Sequence, residues 1–463
     1  MIRTHNPRTP LASADQARRR RRRGIPFALR RLAAAALGAG VLTGCVTGAA
    51  PDRPDCPDLA APVTAPPHVG ARPRALVEEL PDGALRERLS ACLSAPARAG
   101  PRTIGHRGAP LRFPEHTREG YIAAVRLGAS TVECDVTFTR DGALVCRHDA
   151  CDLHRTTNVL QTPLAARCSE PFRPARFQGG VRTEAARARC CTTDLTREEF
   201  LTLRGRRDAV NDDARTVGDY LAPAPGEAAA CRETGTLMTH RDSIDLFRAL
   251  GVAMAPELKG PSVSMPFAGR SLEDFADRLV DEYREAGVAP ERVWLQSFDP
   301  DVVRHWLVSS GEFADRVVWL DGRYRIGGFD HRDGSGRESE FRTFAGLGLK
   351  TVAPPLWMLV EAGPDGIEPS AYARAARAAG LGLMSWTLER SGPLSSGGGW
   401  YYQTLNGRNP RPGTASIRLI EDDADQLELT AFLLEGLGVK GLFTDWAATT
   451  ALVDRCLAGP APP

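Results

Sequence analysis

From Arg102 onward the chain alternates short apolar runs with amphipathic stretches, and this alternation is its clearest structural signal. Runs of strand length lie at 103–106, 131–136, 252–257, 293–297, 317–320, 350–353, 382–386 and 441–444. Helical periodicity appears between several of them, at 272–286, 370–379 and 425–437. Strands alternating with helices predict a parallel sheet. Eight such strands predict an α/β fold closed as a (β/α)₈ barrel of the TIM type. A further run, Leu144-Val145-Cys146, follows the second strand after only a short connection that contains Asp141-Gly142. A parallel partner would need a crossover of about a dozen residues, whereas Asp-Gly between extended segments signals a hairpin. This run is therefore expected to fold back antiparallel and project from the barrel. If the hairpin is symmetric about Asp141-Gly142, His148 returns beside Asp135.

The first 44 residues have another character. They hold ten Arg, six of them consecutive from Arg18 to Arg23, against one acid, Asp15. The net charge of +2 thus hides a mildly acidic body, and the Arg block gives no reason to expect a nucleic-acid partner. An apolar run at 32–42 follows, too short for a membrane-spanning helix, which needs about 20 residues, but suited to a signal-peptide core. It ends in Leu42-Thr43-Gly44-Cys45, which resembles a bacterial lipobox, with Cys45 as the lipidation site. The bland alternative is an ordinary secretory signal with an incidental Cys45. On either account the protein is exported, and with the anchor it sits on the cell envelope, partnered to the membrane through its lipid. The expected division is a signal at 1–44, a tether and lead-in at 45–100 with a short helix near 83–92, and a catalytic barrel at 101–458. Two insertions, 151–236 (Cys-rich) and 390–418 (a long loop), interrupt the barrel.

Composition adds two points. Hydrophobic residues at 42% and charged residues at 25% suit a soluble globular protein with a sizeable core. Of eleven Cys, ten remain if Cys45 is acylated, an even number that permits disulfides in an oxidising compartment without setting their connectivity.

The candidate chemistry lies where barrel enzymes keep it, at the C-terminal ends of the strands. Those ends supply His106-Arg107-Gly108, Glu133 and Asp135, Glu257 and Lys259, Gln296-Ser297, Asp321, Trp386 and Asp445. Glu133 and Asp135 are two apart on one strand and point to one face. Like charges so placed call for a cation between them, and Glu257 offers a third carboxylate. Pairing with rim Arg or Lys is the alternative. Oxygen ligands without His or thiolate favour a hard divalent cation, Ca²⁺ or Mg²⁺, over Zn²⁺. His106 and His148 at the same mouth suit acid–base work near neutral pH. Arg107 and Lys259 add positive charge where a phosphate would meet the metal. The other histidines considered, at 68, 154, 240, 305 and 331, are expected to be structural.

These residues resemble those of the glycerophosphodiester phosphodiesterase family. The similar stretches are His106-Arg107-Gly108, Pro114-Glu115-His116-Thr117, Glu133-Cys134-Asp135, Asp141-Gly142 through Arg147-His148-Asp149, and Arg155-Thr156-Thr157. Later come Glu257-Leu258-Lys259, Gln296-Ser297-Phe298, Ser385-Trp386-Thr387 and Phe443-Thr444-Asp445. The resemblance implies a distorted barrel that hydrolyses small-molecule glycerophosphodiesters to sn-glycerol 3-phosphate and an alcohol. It carries Glu133, Asp135 and Glu257 over as metal ligands, His106 and His148 as the acid–base pair, and Arg107 and Lys259 as phosphate contacts. Glu115, His116, Gln296 and Trp386 become substrate contacts or supports behind the site. His116 departs from the family's usual Asn. Two alternatives remain at this stage. One is a phospholipase D-like enzyme on lysophospholipids or sphingolipids, favoured by an apolar entrance of Trp357, Trp400, Tyr401 and Tyr402. The other is a surface lipoprotein that binds phosphodiesters without turnover.

Overall fold

The computed structural model describes residues 55–223, 229–391, 394, 399–410 and 416–458. The basic leader and the proposed lipidation site Cys45 lie outside these residues, as does part of the 390–418 loop.

All eight expected strands form, and they close on one another. They are β1 (Gly100–Gly105), β2 (Ala129–Phe138), β4 (Ala253–Leu258), β5 (Leu295–Ser297), β6 (Val317–Leu320), β7 (Thr351–Ala353), β8 (Gly382–Leu388) and β9 (Gly441–Thr444), with the hairpin strand β3 (Leu144–Cys146) outside the ring. The eight pair in parallel in chain order, and β9 returns to β1 with Ile104 beside Phe443. Closure satisfies every sheet edge, so the barrel has no open strand to cover. Alternation along β2 separates two environments. Val132, Cys134 and Val136 pack into the core shared with the surrounding helices. Inside the barrel, Ile104, Ala255, Val318, Leu320, Ala353, Met384 and Phe443 form a separate apolar plug. Glu133 and Asp135, out of phase with the outward set, are left pointing to the interior.

The hairpin forms as expected, but its register differs by one residue. Val136 pairs with Cys146 and Phe138 with Leu144, so Asp135 stands opposite Arg147, whose N–H donates to its carbonyl at 2.8 Å. The connection is a three-residue loop, Arg140-Asp141-Gly142, closed by Thr139 and Ala143, with Gly142 at φ 78°. Such a loop is centred on its middle residue, Asp141, rather than on the Asp-Gly bond. His148 therefore stands one place past the residue opposite Asp135.

The lead-in is folded against the barrel from Asp55 onward instead of acting as a spacer. Helices α1 (Ala71–Glu79) and α2 (Ala84–Leu93) bury Leu76, Val77 and Leu89 in the main core, joined by Leu80 just past the end of α1. Disulfides Cys56–Cys231 and Cys92–Cys456 fasten this segment. Pro73 disguises α1 in the sequence, yet in the first turn of a helix a Pro forfeits no intrahelical hydrogen bond. The Cys-rich insertion has its own small core, including Leu153, Val159, Phe200, Leu203 and Tyr220, pinned by Cys151–Cys191 and Cys168–Cys190. With Cys134–Cys146 linking β2 to β3, all ten Cys among the described residues are paired. No helix among the described residues is long and apolar enough to cross a membrane.

Candidate active site

At the C-terminal mouth of the barrel a cleft of about 480 Å³ is lined at one end by His106, Arg107, Glu133, Asp135, His148, Glu257 and Lys259. Its other end is aromatic, with Phe298, Tyr324, Trp386, Trp400 and Tyr401. Register explains the acidic end. Asp135 of β2 lies beside Glu257 of β4, and Glu257 beside Gln296 of β5, so three strands deliver side chains to one level.

Glu133, Asp135 and Glu257 are all buried and can each place a carboxylate oxygen within 4.8 Å of the others. Four of the six carboxylate oxygens have a defined neighbour. Glu133 accepts from the Arg107 N–H at 3.0 Å and from Gln296 Nε2 at 3.0 Å. Asp135 Oδ2 meets His116 Nε2 at 2.9 Å, and Glu257 pairs with Lys259 Nζ at 2.6 Å. Asp135 Oδ1 is buried with no hydrogen-bond partner. A buried, unpartnered anionic oxygen is costly, and a divalent cation with oxygen ligands would satisfy it, so the residues present fit such an ion. The electrostatics agree. Burial, with the charges of Asp135 and Glu257, drives the Glu133 carboxyl well above its usual range. Burial against the pull of Lys259 brings Glu257 to about 7. Burial works upward on Asp135 too, but Lys259 and His116 hold it well below the usual carboxylate range.

The two candidate imidazoles border the same cleft in different settings. His106 Nδ1 is 2.6 Å from Asp445 Oδ1, which leaves Nε2 toward the acids, 3.9 Å from Glu133. Burial and the Arg107 charge lower His106 to about 4 against the opposing effect of Asp445. Burial, Arg107 and Lys259 hold His148 well below its ordinary value. Both rings are therefore neutral near pH 7.

Behind this face lies an ion-pair layer whose roles the sequence did not reveal. Glu115 does not line the cleft; its oxygens take Arg107 Nη1 at 3.1 Å and Arg147 Nη2 at 3.4 Å. Burial would raise Glu115, but Arg107 and Arg147 keep it well below the usual range. Glu115, His148 and Asp152 also cluster closely enough to hold an ion. The fully buried Arg147, however, already lies against both of those carboxylates, so that group has its cation. Asp445 is braced by Arg390 at 3.0 Å. His116 is fully buried behind Asp135, joined to Tyr121 Oη at 3.0 Å, with φ 52°. His is among the residues enriched in that left-handed backbone. Trp386 lines the cleft and donates through Nε1 to the Ala353 carbonyl at 2.9 Å. Of the four residues expected at an apolar entrance, Trp400 and Tyr401 reach the cleft, whereas Trp357 and Tyr402 are buried supports. Asp321 is taken by Arg323 and Tyr372.

Fold and site together define a barrel enzyme with a cation-edged acidic pocket between two histidines. Residues 106–310 match the glycerophosphoryl diester phosphodiesterase family. An "Extracellular protein" of Arthroderma benhamiae is 35% identical over 263 residues, covering 54% of this chain and 98% of that one. Glycerophosphodiester phosphodiesterase GDPD6 of Arabidopsis thaliana is 39% identical over 200 residues, 42% of this chain and 48% of its own. A crystal structure of a putative glycerophosphoryl diester phosphodiesterase from Silicibacter pomeroyi covers 80% of this chain and 98% of its own at 19% identity, with a TM-score of 0.48. The chain belongs to the glycerophosphodiester phosphodiesterase family, and it is an enzyme of that activity, hydrolysing glycerophosphodiesters.

Proposed function

We propose that this hydrolysis is metal-dependent, runs by acid–base catalysis through His106 and His148, and yields sn-glycerol 3-phosphate and a free alcohol. The observation that carries this reading is the convergence of three buried carboxylates, one with an unpartnered oxygen, between two imidazoles on one cleft. Glu133, Asp135 and Glu257 would hold Ca²⁺ or Mg²⁺, which when bound supplies Lewis-acid charge stabilisation at the phosphate. Arg107 and Lys259 contribute fixed positive charge at the same place. His106 is the base, because Asp445 orients its ring and stabilises the imidazolium formed when it takes a proton from the nucleophile. His148 protonates the leaving alkoxide. Burial depresses this imidazole most, followed by the cations Arg107 and Lys259, and an anionic phosphodiester would offset the cations' share, so substrate binding raises its proton affinity. Gln296 positions Glu133, and Glu115 and His116 steady Arg107 and Asp135 from behind.

The five disulfides suit an exported protein. Attachment to the envelope through a lipidated Cys45 is part of the proposal, and incorporation of radiolabelled fatty acid that Cys45→Ser abolishes would test it.

The deciding assay is release of sn-glycerol 3-phosphate from glycerophosphocholine and glycerophosphoglycerol by residues 46–463, with EDTA and after restoring Ca²⁺ or Mg²⁺. Release lost to EDTA and restored by metal is expected. Full activity in EDTA would remove the metal from the mechanism. Silence with every glycerophosphodiester would move the substrate to lysophospholipids.

A further inference from the structure

The aromatic end of the cleft has no part in the chemistry just described, and its charge is one-sided. Arg325 ends a single 3₁₀ turn, Arg323–Arg325, at the rim. Its neighbour Arg323 is bound to Asp321 and Glu340. Arg325 lines the cleft, and among the described residues no hydrogen bond or ion pair engages its guanidinium. It rests instead on ring faces, 5.5 Å from the centre of Phe298 and 5.3 Å from that of Tyr324. Lys259 Nζ lies 5.7 Å from the same Phe298 ring. One aromatic ring therefore separates the phosphate-facing lysine from a second cation that has no carboxylate partner. Beyond it, Trp400 packs 5.3 Å from Tyr324 and 6.3 Å from Trp386, with Tyr401 6.0 Å from Trp386. The carboxylates lining the cleft all belong to its other end: Glu133, Asp135 and Glu257, together with Asp149 next to His148. The stretch carrying Trp400 and Tyr401 has no acidic residue between Arg390 and Arg418.

A quaternary ammonium group is held by open ring faces away from competing cations. Here two of the ring faces already carry Arg325. An anionic group would find the reverse: a desolvating aromatic floor and a guanidinium free to form a forked contact. Building on the hydrolase reading, we infer that the aromatic end with Arg325 is the leaving-alcohol subsite, and that it selects glycerophosphodiesters whose alcohol bears its own anionic group, such as a second phosphate.

The test compares kcat/KM for three substrates differing only in the alcohol: glycerophosphocholine, glycerophosphoglycerol, and glycerophosphoglycerol bearing a terminal phosphate. Arg325 is exposed at the rim, so the wild-type ratio of anionic to choline ester should be about tenfold at most in favour of the anion, the scale of an exposed charge pair acting with opposite sign on the two. Arg325→Ala should lower that ratio about fivefold, and Arg325→Glu should invert it. Inversion requires a folded, active enzyme, so damage to the fold cannot imitate it. If the three proteins turn over all three esters with one unchanged ratio, the inference is overturned and the hydrolase reading stands. If the wild type hydrolyses none of them, both fall.

Discussion

At the scale of single residues the site is a problem in burying charge. Glu133, Asp135, Glu257, Arg107, Lys259, Glu115 and Arg147 are all withdrawn from water around one cleft. Each is tolerable only because a neighbour of opposite sign or a strong donor stands within reach. The contact of greatest consequence is the short one between His106 and Asp445. A carboxylate on Nδ1 fixes the tautomer, presents Nε2 to the cleft and favours the charged ring. His106→Ala and His148→Ala should each reduce turnover on the order of 10²-fold or more while metal affinity, measured by calorimetry, is retained. Asp445→Asn gives the sharper test. Asp445 raises the His106 pKa, so its loss should lower kcat and move the acidic limb of the kcat/KM profile to lower pH. A fall in rate with an unmoved limb would make Asp445 merely structural.

Among the elements, the hairpin does the most to assemble the site. It carries His148 from the sheet back to the mouth, and Cys134–Cys146 binds it to the strand that bears Glu133 and Asp135. The Cys are 12 residues apart, and closing a loop of that size is worth about 3 kcal/mol in the unfolded-chain account. The Cys134→Ala, Cys146→Ala double variant should therefore lose about 2–3 kcal/mol in denaturant unfolding. Its kcat should fall with it, because His148 follows two residues later. Unchanged stability would show that the backbone pairing alone holds the hairpin. This element also marks how far sequence carries. The eight strands, the hairpin and the three carboxylates are legible because apolar period and strand-end polarity are local signals. The register slipped by one because the loop closes between Thr139 and Ala143, a three-dimensional choice that Asp-Gly alone leaves open. Asp445 and Arg147 were visible only as a strand end and a motif residue. Their roles depend on pairings across 339 and 32 positions, which no local pattern encodes. Helix α1 was obscured by Pro73, and its function as a docked brace depends on a disulfide partner at Cys231 for the segment just before it.

For the whole molecule, the cross-links and the acidic centre bear on stability in different ways. Cys56–Cys231 and Cys92–Cys456 span 175 and 364 residues and hold the lead-in to the insertion and to the last helix whatever the pH. The carboxylate centre is pH-dependent, and its sign can be worked out. Glu257 is raised from 4.5 in the unfolded chain to about 7 in the metal-free fold, and Glu133 is raised as well. A group with a raised folded pKa binds its proton more tightly when folded. Its contribution is fully present below about pH 4.5 and is lost as pH climbs through about 7. Asp135 is depressed and acts in the opposite sense, but its window lies below its unfolded value near 3.8, outside the neutral range. The depressed imidazoles of His106 and His148 act in the opposite sense up to about pH 6.5, so metal-free protein should lose Tm between about pH 6.5 and pH 8. A bound divalent cation competes with the protons on Glu133 and Glu257 and should restore stability mainly at the upper end. The expected result is a Tm increment on adding Ca²⁺ or Mg²⁺ that is small at pH 5 and several degrees at pH 8. Asp152, also raised to about 7 by burial, contributes to the metal-free slope but not to the increment, so the difference isolates the site. Glu257→Gln should flatten the metal-free slope and remove most of the increment. An increment equal at pH 5 and pH 8, or one that survives Glu257→Gln intact, would place the cation elsewhere on the protein.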